Sequence, residues 1–269
     1  MLGFYKQPKV DILIVTGPCR TGKTTISKIL AKQDHFEFLD EPWLGMFLPV
    51  LVTAGEMREE LAAQMLNSYF DELVNDVMLC RRANFRPGDR SSIRDFKSSD
   101  NINYRLETLQ NREDAADYAR ANQTTLIIAL PETSPFIDFL LSASERNRVL
   151  LLERDRQALI NEIVTKQWFS DAQLKAPQNN QPFTQTIFDG SNYYMPWWLT
   201  EDQFEIFIQS TDEQRASFYA EFFHKAADEQ CKKLSNDATS RLMKINSQDV
   251  FEKPDELVTD INQFIEALR

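Results

Sequence analysis

Residues Ile14–Thr25 read IVTGPCRTGKTT. The preceding run, Val10 to Val15, is apolar and mostly β-branched, which predicts a short buried strand that Gly17 ends. From Gly17 to Thr24 the spacing is G-x-x-x-x-G-K-T, and Thr24 to Lys32 reads as a helix. Strand, glycine-bounded loop and helix in that order make an anion site, the Walker A arrangement. Loop and helix N-terminal amides point inward with the helix dipole behind them, and glycine lets the backbone approach a phosphate closely. Lys23 adds a mobile ammonium, and Thr24 a hydroxyl for phosphate or Mg²⁺. Gly17, Arg20, Thr21, Gly22, Lys23, Thr24 and Thr25 are therefore the expected nucleotide-binding residues. The spacing specifies phosphate and leaves open which group is transferred.

Outward from that loop, short apolar runs alternate with helical patterns. FEFLD (Phe36–Asp40), TLIIAL (Thr125–Leu130), RVLLLE (Arg148–Glu153) and RLMKI before Asn246 read as strands. Helices are expected over 56–83, with apolar residues at Leu61, Met65, Tyr69, Leu73, Val77 and Cys80, and over Tyr104–Ala121, 132–146, Asp155–Trp168, Glu201–Leu234 and Pro254–Leu268. The segment NFRPGDRSSIRDFKSS reads as a loop turning at Pro87-Gly88. Residues 169–199 carry several prolines and read as irregular, a candidate lid or substrate loop. The pattern predicts an α/β fold of three layers, a P-loop fold with a central, mostly parallel sheet flanked by helices. It fits a single domain, 1–269, with a helical insertion at about 56–121.

The 269 residues can bury a core without disulfides or a structural metal. The net charge of -11 and pI near 4.8 argue against a nucleic-acid partner and for an acidic enzyme with a local basic site. Cys19, Cys80 and Cys231 are scattered, and His35 and His224 are the only histidines, so neither a disulfide framework nor a histidine-based zinc site is expected. No metal site is assigned. The N-terminus lacks the features of a signal peptide, and no apolar run approaches a membrane span, so a cytoplasmic protein is expected.

The order of further motifs resembles the PAPS-dependent sulfotransferases. RTGKT (Arg20–Thr24) fits the family's R-S-G-T-T loop. IIALPETSPFIDFLLSASERNRVLLLERDR has the layout of its K-T-P or K-T-H-L-P strand, helix and R-D-P strand, with Arg154-Asp155 at R-D. KQWFSDAQL, MPWWLTED, EQRASFYAEF and the closing strand, acidic turn and helix resemble segments of bacterial-type members. The resemblance covers Asp11 to Leu268. It implies a transferase that moves a sulfuryl group from PAPS (3′-phosphoadenosine 5′-phosphosulfate) to a hydroxyl of a carbohydrate or small molecule, with Arg154 in the donor site. Three positions depart from the family. Lys23 replaces a threonine, Ile127 and Ala129 replace the lysine and histidine of K-T-H-L-P, and Glu162 stands where a serine holds the 3′-phosphate. Asn161, Arg156 or Lys166 are the expected substitutes for that serine.

Sulfuryl transfer needs a base for the acceptor proton and cations for the charge building on the bridging oxygen. Glu41, just past the second strand, is the expected base, with Asp40, Glu132 and His35 in reserve; Lys23 and Arg20 are the expected cations. Arg81, Arg82, Arg86, Arg90, Arg94 and Lys97 crowd one segment, and guanidinium forks suit sulfate, phosphate or carboxylate. Arg86 and Arg90, with Trp43, are the expected acceptor-binding residues, and Ser91-Ser92 could add hydroxyls. Trp168, Trp197, Trp198, Tyr193 and Tyr194 could stack on a ring, or simply be core. His224 is expected to be structural. Two alternatives stand beside this reading. One is an ATP- and magnesium-dependent small-molecule kinase, since Lys23-Thr24 suits β- and γ-phosphates and DEPW and DRSS resemble pieces of deoxynucleoside kinases. The other is an inactive nucleotide-binding protein.

Overall fold

The computed structural model describes residues 8–81, 83–175, 184–186 and 193–267. Five parallel strands form the central sheet in the order β2-β3-β1-β4-β7. These are β1 (Asp11–Gly17), β2 (Phe36–Asp40), β3 (Thr125–Pro131), β4 (Asn147–Glu153) and β7 (Leu242–Asn246). In β1, β3 and β4 successive apolar residues serve opposite faces. Ile12, Ile14, Leu126, Ile128, Val149 and Leu151 point into one core, and Leu13, Val15, Ile127, Ala129, Leu150 and Leu152 into the other. Such unbroken apolar runs are what a sheet covered on both sides requires.

One face carries α2 (Trp43–Thr53), α3 (Glu59–Met78), α5 (Arg112–Ala121) and α6 (Ile137–Ser142); the other carries α1 (Lys23–Leu30) and α13 (Pro254–Glu266). This is the three-layer α/β arrangement expected. A third apolar cluster joins α7 (Arg156–Thr165), α8 (Asp171–Lys175), α9 (Glu201–Gln209) and α10 (Asp212–Lys233). Trp198 is buried in it against Phe207, Tyr219, Phe222 and Phe223. Trp197 stacks on Phe136 with ring centroids 5.1 Å apart, and Trp168 packs at the same cluster. These indoles belong to the core, where their area is worth more than as an exposed platform. In the 169–199 stretch, residues 176–183 and 187–192 and the side chain of Tyr194 lie outside the described residues; β5 (Thr184–Thr186) and β6 (Tyr194–Pro196) pair antiparallel there.

Several helix boundaries differ from expectation: the helix expected over 132–146 is confined to Ile137–Ser142, a short helix Asp171–Lys175 lies in the stretch read as irregular, and three further differences have a local reason. The helix expected over Tyr104–Ala121 is two, α4 (Ser99–Thr108) and α5, because the Asn111 side chain accepts from the amides of Glu113 and Asp114 and starts a new helix. The helix expected over Glu201–Leu234 is likewise split, where Thr211 and Gln214 form a reciprocal capping box at the start of α10. Replacing Thr211 with alanine should destabilise the fold by about 1 kcal/mol, read as a shift in the urea midpoint at unchanged slope. The helix α2, with Gly45 and Pro49 inside it, has no counterpart in the sequence reading. It is held by packing, with Gly45 pressed against Leu130 and Phe70. Short helices α11 (Asn236–Ser240) and α12 (Asp249–Glu252) flank β7. Among the described residues no helix is long and apolar enough to cross a membrane.

Candidate active site

Parallel strands place their carboxyl ends on one edge of the sheet. With β3 and β4 on either side of β1, the chain changes direction above β1, where open α/β sheets leave a crevice. The loop 17–22 lies there. Gly17 has φ 141°, and a Cβ on it would sit 2.3 Å from the Leu152 carbonyl oxygen on β4. Gly22 has φ 89° and caps α1 without a side-chain hydrogen bond, leaving that helix's first amides for an anion. Thr21 is buried and donates to the Pro18 carbonyl at 3.0 Å. Thr25 is half-buried in the first turn of α1.

Lys23 is buried and folded back into the loop. Its Nζ donates to the Gly17 carbonyl at 3.1 Å and to the Pro18 carbonyl, with the Thr21 hydroxyl 3.3 Å away. Burial pulls its pKa down from 10.5 to about 8, against the opposing pull of Cys19, Glu132, Glu41 and Asp40. The Cys19 thiol, buried and near Glu132, is pushed up to about 12 and is therefore unreactive. Tyr219 of α10 props the loop from below, its hydroxyl accepting the Cys19 amide at 2.8 Å.

The rim of the loop is cationic. Arg20 (φ 58°) places Nε and Nη2 each 3.0 Å from Glu162 Oε1. Arg154, just past β4, donates from Nη1 to the Arg20 carbonyl at 2.6 Å and has Nη2 3.9 Å from Glu162 Oε2. Glu162 therefore faces the loop and is paired. Of the substitutes expected for the family serine, Arg156 turns instead to Ser217 and Glu221 on α10, and Asn161 takes a hydrogen bond from Gln157.

On the other side of the crevice, Thr24 donates to Asp40 Oδ1 at 3.3 Å. Arg90 clamps both carboxylates after β2, with Nε 2.8 Å from Asp40 Oδ2 and Nη2 2.9 Å from Glu41 Oε2. Burial raises the Asp40 pKa, with Arg90 opposing. Glu41 has φ 51°. Trp43 is exposed at the start of α2, tilted against Phe47.

The basic segment does not act as one cluster. Arg90 reaches the crevice. Lys97 is buried and donates to the carbonyls of Gln33, Asp34 and Phe36 at 2.7–3.0 Å. Arg94 lies over the Phe85 ring at 4.4 Å. Arg81 and Arg86 are exposed, and Arg82 lies outside the described residues. The hydroxyl and amide of Ser91 are both spent on Asp89. Two reserve residues separate as well. His35 precedes β2, at the end of the sheet away from the loop, whereas Glu132 follows β3 beside it. His224 bridges the Ala220 and Arg154 carbonyls at 2.7 and 2.9 Å, the structural role expected.

No protein-family model and no curated protein matches the chain. Solved sulfotransferases do align with it. The sulfotransferase domain of the Synechococcus PCC 7002 olefin synthase is 14% identical, covering 98% of this chain and 75% of that one, at a TM-score of 0.45. The sulfotransferase domain from the curacin biosynthetic pathway is 13% identical over 96% and 74%, also at 0.45. Sulfotransferase STF9 from Mycobacterium avium is 13% identical over 96% and 64%, again at 0.45.

Tyr219 went unassigned in the sequence, although it sits in the RASFY motif (Arg215–Tyr219). Its neighbour Arg215 is buried, donating to the Phe207, Ile208 and Phe169 carbonyls. Arg215 and Tyr219, one helical turn apart, share the buried face of α10, which the packing of that helix decides.

Proposed function

We propose that this protein is a sulfotransferase-like transferase that moves the sulfuryl group of PAPS to a hydroxyl of a carbohydrate or small molecule. The observation that supports it is the convergence of Arg20 and Arg154 on one carboxylate, Glu162, at the rim of the loop. A guanidinium pair at the rim of the loop, one member from the loop and one from the end of β4, suits a nucleotide with a second anionic group away from its 5′ chain, and PAPS carries one at the 3′ position. In this reading the 5′-phosphosulfate lies along Gly17, Arg20, Thr21, Gly22, Lys23, Thr24 and Thr25. The 3′-phosphate then displaces Glu162 from Arg20 and Arg154. Lys23 steadies the phosphate oxygen as the sulfur leaves it. The acceptor approaches past Arg90, Arg86 and Trp43, and a carboxylate at the crevice, Glu41 or Glu132, takes its proton.

A second reading, the ATP- and magnesium-dependent kinase, has its own support in the 3.3 Å contact of Thr24 with Asp40. A hydroxyl and a carboxylate beside Lys23 are partners that Mg²⁺ uses. Arg90 already neutralises Asp40 and Glu41, which weakens that pair as a cation site.

Thermal shifts separate the two. We expect 3′,5′-ADP to raise the melting temperature and ADP with Mg²⁺ to leave it unchanged; the reverse pattern selects the kinase. Glu162→Ser should tighten 3′,5′-ADP binding about tenfold, since removing a like charge beside a phosphate at a partly exposed site relieves on the order of 1–2 kcal/mol. Equal affinity in the variant and the parent would mean that the 3′-phosphate does not meet Glu162.

A further inference from the structure

We infer that Glu132, and not Glu41, takes the acceptor proton during group transfer. The inference rests on the sulfuryl-transfer reading above. The Glu132 amide donates to the Gly17 carbonyl at 3.2 Å, and that same oxygen accepts Lys23 Nζ at 3.1 Å. Residue 132 is thereby fixed beside the cation at the bottom of the loop. It follows directly on Pro131, which sits opposite Gly17 in the β1–β3 register, so it lies over the point where the two strands open. Glu41 is placed differently. Its amide donates to the Ala129 carbonyl, and its carboxylate is exposed and held by Arg90 at 2.9 Å. That contact spends the Glu41 carboxylate on Arg90 at the rim of the crevice.

Arg20, Glu41 and Glu132 all hold positive φ, 58°, 51° and 61°. Side-chain residues rarely keep that conformation unless the surroundings enforce it, and active sites are where it concentrates. Every charged or titratable group facing Glu132 is compatible with a base. Lys23 on α1 and the Tyr219 hydroxyl on α10 favour its charged form, and Glu41 past β2 repels it. Cys19 in the loop has its thiol pushed up to about 12 and stays neutral. Tyr219 accepts the Cys19 amide and keeps its own hydrogen free to donate towards a neighbouring carboxylate. Desolvation outweighs the two favourable contacts and raises the Glu132 pKa, which makes its carboxylate a stronger base than an exposed one.

A bond forms between the acceptor oxygen and sulfur while the bond from sulfur to the bridging phosphate oxygen breaks. The electron pair leaves on that oxygen, giving 3′,5′-ADP, and the acceptor proton passes to Glu132 and then to water.

The experiment uses the full chain with PAPS and water as acceptor, following release of 3′,5′-ADP between pH 5 and 9. Wild type, Glu132→Gln, Glu132→Asp and Glu41→Gln are compared, with 3′,5′-ADP binding measured separately. We expect Glu132→Gln to lower kcat about 100-fold or more with nucleotide affinity unchanged, and to lose the acid limb of the pH profile. Glu132→Asp should restore part of the rate and bring the limb back. Glu41→Gln should keep the limb. A Glu132→Gln protein that retains both rate and limb, or a Glu41→Gln protein that alone loses the limb, overturns the assignment. Failure of wild type to bind 3′,5′-ADP or to consume PAPS overturns the functional reading itself. An inactive Glu132→Asp protein with a lowered melting temperature assigns Glu132 to the support of the loop instead.

Discussion

Lys23→Met is expected to lose about 100-fold or more in affinity for 3′,5′-ADP and yet to melt above the parent protein at pH 7. Both halves follow from one fact. Lys23 is buried among carbonyls with its pKa drawn down from 10.5 to about 8. The folded protein holds that proton less tightly than the unfolded chain does. Keeping the ammonium charged below pH 8 therefore costs about 3 kcal/mol, by the conversion of 1.36 kcal/mol per pKa unit. Unfolding takes up a proton between pH 8 and 10.5, so wild-type stability rises with pH through that window. The methionine variant has no such charge and shows no such rise. Binding carries the opposite sign, because an anion in the loop needs the ammonium. Wild-type affinity should be level up to about pH 8 and fall towards tenfold per unit above it. Calorimetric titration of 3′,5′-ADP across pH 6–10, with melts in the same buffers, measures both. A methionine variant that binds as tightly as wild type would remove the loop from the nucleotide site.

Gly17→Ala is expected to be the most damaging single methyl group in the chain. At φ 141° an L side chain is strained in any surroundings, and here the added Cβ would lie 2.3 Å from the Leu152 carbonyl oxygen. That oxygen belongs to β4, which is hydrogen-bonded on both sides, to β1 and β7, so it cannot step aside without opening the sheet. Overpacking of this kind, added to backbone strain, costs about 3–5 kcal/mol. For a chain of this size the loss is a drop of roughly 10 °C in melting temperature. The comparison is Gly55→Ala, where φ is 74° but nothing lies within 4 Å of the new methyl; strain alone should cost it no more than about 1–2 kcal/mol. Equal melting temperatures for the two variants would show that β4 yields more readily than a paired central strand should.

The strands of the central sheet, and the loop between β1 and α1, were legible in the sequence. FEFLD is β2 residue for residue, and the apolar run from Val10 is β1 shifted by one position at its start. Strands buried on both faces must be apolar throughout, and only glycine accepts the backbone at Gly17 and Gly22, so composition alone reports them. The helix expected over 56–83 is α3 (Glu59–Met78), but the stripe read for it is only half right: Leu73 and Val77 are buried, whereas Leu61 and Met65 are exposed and Ala62, Leu66 and Phe70 face the core instead.

What side chains do across the fold was not legible. Glu162 is one polar residue on α7; only the packing of that helix beside the loop turns it towards Arg20 and Arg154. Arg90 and Lys97 lie seven residues apart in one basic run, yet one clamps Asp40 and Glu41 and the other is buried among the carbonyls before β2. Tyr219 and Cys19 are 200 positions apart and share a 2.8 Å hydrogen bond. Periodicity and backbone conformation are properties of neighbours along the chain, and the sequence determined them. Which charges meet depends on how elements far apart in sequence pack, and the tertiary structure alone decided it.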